Sequence, residues 1–224
     1  MNRVKLSDRV LPTYTKGEEI FNMVSHIVGA ALGIAALVLC IIFSAIHKNA
    51  YAVVSSCIYG VSLILLYTMS SIYHGLSSKI RTKKVFQIID HCSIFLLIAG
   101  TYTPFALCTF REYNTATGWV LFGIVWGLSI LGIVLNSIDL KRYKVFSMIC
   151  YLLIGWCVIF KINLLPELLT LNGFILLLAG GIVYTVGAIF YGLGKNHKWM
   201  HSMFHIACII ASTLHFFCIF FYVI

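Results

Sequence analysis

Residues 199–224 read WMHSMFHIACIIASTLHFFCIFFYVI, an apolar run long enough to cross the hydrocarbon of a bilayer that nonetheless carries His201, His205 and His215. Ionisable side chains are costly inside a membrane and usually mark function there. His201 and His205 are four residues apart, so a helix puts both on one face. Two questions follow: how many such spans the chain has, and which other polar groups lie at the depth of these rings.

Six further apolar runs of about 20 residues or more precede this one, at residues 20–46, 51–76, 85–108, 116–136, 145–165 and 168–193. With 61% hydrophobic and only 10% charged residues, and a mean hydropathy of +0.98, the chain carries more apolar surface than the core of a soluble 224-residue domain can hide. Each run is continuously apolar, whereas barrel strands alternate and extend for only about ten residues, so the spans are expected to be helices. The sequence thus predicts an all-α membrane protein, a seven-transmembrane helix bundle over residues 20–224, with residues 1–19 as a tail. That tail is polar and lacks a cleavable signal pattern, so the first span is expected to act as an uncleaved anchor.

Basic residues orient the bundle. Arg3, Lys5, Arg9 and Lys16 precede span one; Lys79, Arg81, Lys83 and Lys84 follow span two; Lys141, Arg142 and Lys144 follow span four; Lys195 and Lys198 follow span six. All of these fall on one side, against Lys48, Arg111 and Lys161 on the other. The amino terminus is expected in the cytoplasm and the carboxyl terminus outside, the reverse of rhodopsin-like receptors. A net charge of +9 then reflects topology and contact with anionic membrane lipids, and no nucleic-acid partner is expected. The eight cysteines all lie within spans without C-x-x-C pairs, and are read as small packing residues rather than a disulfide framework. Gly29 with Gly33, and Gly123 with Gly127, have the spacing that permits close helix packing. Oligomeric state is not legible.

In this arrangement span two runs inward, so Ser70 and His74 approach the cytoplasmic end on one helix face. Span three starts inside and carries Asp90; span seven starts inside and carries His201 and His205. At about 1.5 Å of rise per residue, all five lie roughly 5–14 Å from the same face. Three neutral imidazoles are a common catalytic zinc set, leaving a fourth tetrahedral position for water. His74, His201 and His205 are the expected Zn2+ ligands. Asp90 is expected to hold that water or act as general base, and Ser70 to hydrogen-bond a ligand, the water or a substrate carbonyl. Zinc so held lowers the pKa of water toward about 7 and polarises a carbonyl. The bland alternative is that the histidines make interhelical hydrogen bonds; matching depth in three segments weighs against it, because an uncompensated buried cluster is costly.

Other polar residues are less informative. His215 lies roughly 15 Å beyond His205 and reads as a core hydrogen-bonding residue. Cys208, near the face of His201 and His205, and His197, four residues before His201, are minor alternatives as ligands. His91 points about 100° away from Asp90, and His47 falls in a loop. Glu19, Asn22, Ser25 and His26 either cap the first helix or lie beside the metal.

Taken together, Glu19-x-x-Asn22-x-x-Ser25-His26, Ser70-Ser71-Ile72-Tyr73-His74, Asp90-His91 with Ala99-Gly100-Thr101-Tyr102-Thr103-Pro104-Phe105, and His201-x-x-x-His205 with His215 resemble the hemolysin III family, the bacterial branch of the progestin and adipoQ receptor superfamily. The resemblance covers nearly the full length. It implies a seven-helix bundle, an amino terminus in the cytoplasm, zinc on residues matching His74, His201 and His205, an aspartate at Asp90 acting through water, and a nearby serine at Ser70. Adiponectin receptors of the superfamily are linked to ceramide amide hydrolysis, and alkaline ceramidases are thought to share the architecture. The bacterial branch takes its name from haemolytic, pore-forming activity, and roles in membrane lipid homeostasis have been proposed for it. The expected function is zinc-dependent hydrolysis of a lipid amide or ester. The alternative is a non-enzymatic pore-forming or membrane-homeostasis protein with structural zinc. Zinc transport is disfavoured because the site lies near one face rather than at the midplane. Receptor signalling is not expected without the long tail of the animal receptors.

Overall fold

The computed structural model describes residues 6–47 and 49–224; Arg3, Lys5 and Lys48 of the orientation argument lie outside them. Seven helices long and apolar enough to cross a membrane follow one another among the described residues. They are α1 (Lys16–Ile46), α2 (Ala50–Gly75), α3 (Arg81–Pro104), α4 (Thr115–Asp139), α5 (Lys144–Gly155), α6 (Leu165–Leu193) and α7 (Met200–Tyr222). The wider turn of a π-helix, Phe105–Phe110, extends α3, and a 3-10 turn, Cys157–Lys161, extends α5. The chain is a multi-pass integral membrane protein that contacts membrane lipids. Its surface shows why: Ile27, Leu32, Val38, Leu39 and Ile42 on α1 are each about half exposed, as are Ile124, Ile130 and Val134 on α4. Such faces are stable only against hydrocarbon.

The inward faces are more polar than the outward ones. On α1 the buried residues Asn22, His26, Gly29, Gly33, Ala36 and Cys40 recur every three or four positions, a single helical stripe. It packs along α2, and α7 closes the ring against α1 and α6. The central helix is α3, most of which is buried. Tyr151 on α5 donates to the His91 carbonyl (2.8 Å), and Ser147 donates to Asn136 (2.5 Å), tying α5 to α3 and α4. Buried polar pairs of this kind hold helices together where lipid supplies no hydrophobic drive between them.

α1 begins at Lys16, four residues before the apolar run that predicts it, because Thr15 and Glu18 form a reciprocal capping box. The two glycine pairs diverge. A Cβ on Gly29 would meet the Tyr67 ring at 2.7 Å, and one on Gly33 would meet Ile64 at 3.3 Å, so α1 and α2 depend on that pair for close approach. Gly123 and Gly127 meet nothing within 4 Å, which corrects the packing reading for the second pair within this chain. All eight cysteines are free.

Gly29→Ala is therefore expected to lower the thermal midpoint of detergent-solubilised protein, with an overpacking cost of about 1–3 kcal/mol. Gly123→Ala is expected to leave it unchanged or raise it slightly, since it adds helix propensity in open space. Equal shifts for the two variants would contradict this packing.

Candidate metal centre

The last turn of α2 and the first turns of α7 bring three imidazoles to one point. His74, His201 and His205 are all buried, and one ligand atom from each lies within 4.8 Å of the others. His201 Nε2 is 3.4 Å from His74 Nε2 and 3.2 Å from His205 Nε2. A proton on His201 Nε2 can serve only one of these neighbours, so hydrogen bonding among the rings cannot satisfy the whole cluster. Three such nitrogens can hold a metal ion.

His74 Nδ1 lies 2.6 Å from Glu19 Oε2. The other oxygen of Glu19 accepts from Lys83 Nζ at 2.6 Å, and the same ammonium donates to the Leu76 carbonyl at 2.9 Å. Carboxylate–histidine contacts of this kind fix the ring tautomer at metal sites, with the proton on Nδ1 and the lone pair on Nε2. Of the readings left open by sequence, the structure puts Glu19 beside the histidines and gives the cap to Thr15 and Glu18. His26, about two turns further along α1, stacks on His205 with centroids 3.7 Å apart.

Two spaces flank the cluster. A cavity of about 150 Å³ is lined by Ser70, Asp90, His26, His201 and His205 together with Ile94, Ile98, Met148, Leu152, Ala188, Phe204 and others, and most of its surface is apolar. A wider groove of about 680 Å³ on the amino-terminal face is lined by Tyr14, Lys16, Glu19, His74, Lys83 and Lys84. His74 faces the groove while His201 and His205 face the cavity, so the imidazoles stand in the partition between them. Tyr14 covers it: its ring stacks on His201 (4.9 Å, 20°) and lies 5.7 Å from His74. Burial pushes the Tyr14 phenol well above its ordinary pKa, which keeps it neutral.

Asp90 and Ser70 share the cavity with two of the histidines but are not members of the tight nitrogen cluster. His91 does not point away from the site as predicted: it lines the same cavity, with Nδ1 3.8 Å from Asp90 Oδ2 and Nε2 3.1 Å from the Tyr191 hydroxyl. His215 pairs with the Leu177 carbonyl at 3.2 Å across α6 and α7, the core role expected of it. Cys208 lines the cavity and His197 is exposed; neither joins the cluster. Lys83, Glu18 and Tyr14 carry no individual sequence signal for this site. Glu19 had one: it stands three residues before Asn22 and seven before His26, at the edge of the inward stripe.

A seven-helix membrane bundle with three buried histidines converging near its amino-terminal face defines the class. Residues 14–216 match the model of the family described as "Haemolysin-III related". The chain is 44% identical over 207 residues to "Hemolysin-3" of Bacillus cereus, covering 92% of each, and 42% identical over 209 residues to the "Hemolysin-3 homolog" of Bacillus subtilis (strain 168), covering 93% of this chain and 96% of that one. More distantly, it is 23% identical over 223 residues to the human "Monocyte to macrophage differentiation factor", covering 97% and 89%. The chain belongs to the hemolysin III family, within the progestin and adipoQ receptor superfamily.

Metal analysis of the purified protein is expected to find about one ion per chain, set by the single three-nitrogen cluster among the described residues, and His201→Ala is expected to lose it. Equal metal content in the two proteins would remove His201 from the site.

Proposed function

We propose that the protein is a zinc-dependent hydrolase acting on the amide or ester carbonyl of a membrane lipid. The observation that carries the reading is the composition of the cavity: histidines, a carboxylate and a serine hydroxyl share a space whose exposed surface is otherwise largely apolar and suited to an acyl chain. The metal assignment rests on donor chemistry and spacing. Neutral imidazoles suit zinc, and one ligand nitrogen from each of three buried histidines lies within 4.8 Å of the others, close enough to converge on one ion.

Zinc held by His74, His201 and His205 supplies Lewis acidity, polarising a carbonyl and making water acidic. The chain's own groups do the rest. Asp90, on the cavity wall, accepts the proton of the attacking water and returns it to the leaving amine or alcohol. Ser70 donates to the carbonyl oxygen and orients it. Apolar side chains of α3, α5, α6 and α7 align the acyl chain and exclude bulk water. The surplus of basic residues on the amino-terminal face supports a cytoplasmic orientation for it, with the site just beneath the inner headgroups.

Purified protein in lipid micelles is expected to release fatty acid from a ceramide-like amide or an ester analogue. His74→Ala is expected to abolish release and Asp90→Asn to slow it about 10²–10⁴-fold, the usual worth of a positioned general base. Release by His74→Ala equal to that of the wild type would exclude the mechanism. The name shared by the two Bacillus relatives favours a second reading, a haemolytic protein with structural zinc; it predicts leakage from dye-loaded liposomes with no lipid turnover.

A further inference from the structure

We infer that the first turn of α1 is the positioning element of the metal centre: Glu19 orients His74, and the adjacent Glu18 holds the start of the helix that carries His201 and His205. The role rests on the metal assignment but not on hydrolysis.

Glu19 bridges two helices. One oxygen meets His74 Nδ1 and the other meets Lys83 Nζ, both at 2.6 Å. The Lys83 residue is only 2% exposed, so its ammonium is a fixed partner rather than a surface charge. It stops the carboxylate from rotating, and a carboxylate oxygen held at Nδ1 fixes the ring proton there and leaves the His74 lone pair on Nε2. That is the atom turned toward His201.

Glu18 reaches the other metal-bearing helix. Its Oε1 accepts from the Trp199 backbone N–H at 2.6 Å, while Oε2 accepts from Thr15 N and Oγ1 at 2.9 and 2.7 Å. Capping α1 requires only the second oxygen. Trp199 has φ of 66°, left-handed backbone that a non-glycine residue keeps only when its surroundings enforce it. Glu18 enforces it, together with the Trp199 ring, which meets Phe21 edge-on at 6.0 Å and lies where a Cβ on Gly17 would touch it at 3.6 Å. Two residues later comes His201, so the geometry of this junction sets where the imidazole enters the cluster.

The test is Zn2+ affinity of the full chain in detergent, measured by competition with a chromophoric chelator. Glu19→Ala is expected to weaken binding about 10–100-fold, the usual cost of losing a carboxylate behind a metal-bound histidine. Glu19→Gln, which keeps an acceptor oxygen for Nδ1, should recover most of it; Lys83→Met should fall between. A purely structural role would instead shift the unfolding midpoint of the metal-free protein without this order of affinities. If Glu19→Ala does not fold, the Gln and Lys83→Met variants still decide. Affinities of the folded variants within twofold of wild type overturn the positioning role alone. A wild-type chain that takes up no Zn2+ overturns the metal centre and this role together.

Discussion

Buried imidazoles that meet nitrogen to nitrogen are unstable company unless something positive lies between them. Removing polar groups from water without partners costs several kcal/mol each by order of magnitude, and at this cluster the Nε2 atoms face one another rather than carbonyls or carboxylates. The architecture follows from resolving that conflict near a membrane surface. Carboxylate and ammonium are brought behind His74, a phenol is laid over His201, and His26 stacks beneath His205.

The position of the cluster also explains its two surroundings. A site at the midplane would see hydrocarbon on every side, and one in the loops would see water. Here the groove brings polar residues to His74, while the cavity brings apolar ones to His201 and His205. A carbonyl group in a lipid sits at the same kind of boundary, between a wet headgroup and a dry chain. The match between that boundary and the partition of the imidazoles supports a lipid as the molecule handled here.

Hydropathy made the seven helices legible, because a span must satisfy its own backbone hydrogen bonds and face lipid along part of its surface. Depth arithmetic then placed His74, Asp90, His201 and His205 in one layer, since rise per residue is fixed in a helix. Azimuth was harder to read. Whether Asp90 and His91 face one cavity depends on how α3 is rotated and on how widely that cavity spreads between α5 and α6. The pairing of Glu19 with His74 spans 55 residues, and Lys83 joins it from the first turn of α3, 64 residues from Glu19. Gly123 and Gly127 carry the same spacing as Gly29 and Gly33, and nothing in the local sequence says which pair has a neighbour. The tail residue Tyr14, in a polar segment, gave no hint that it covers two histidines.

Beyond Pro104 the wide π-helical turn buries six successive residues, Phe105 to Phe110, so this end of α3 has no side left for lipid. It is a solid plug of aromatic and aliphatic groups set in the half of the bundle away from the histidines. A change in the pitch of this turn would therefore displace side chains packed on α2, α4 and α6 rather than lipid-facing ones.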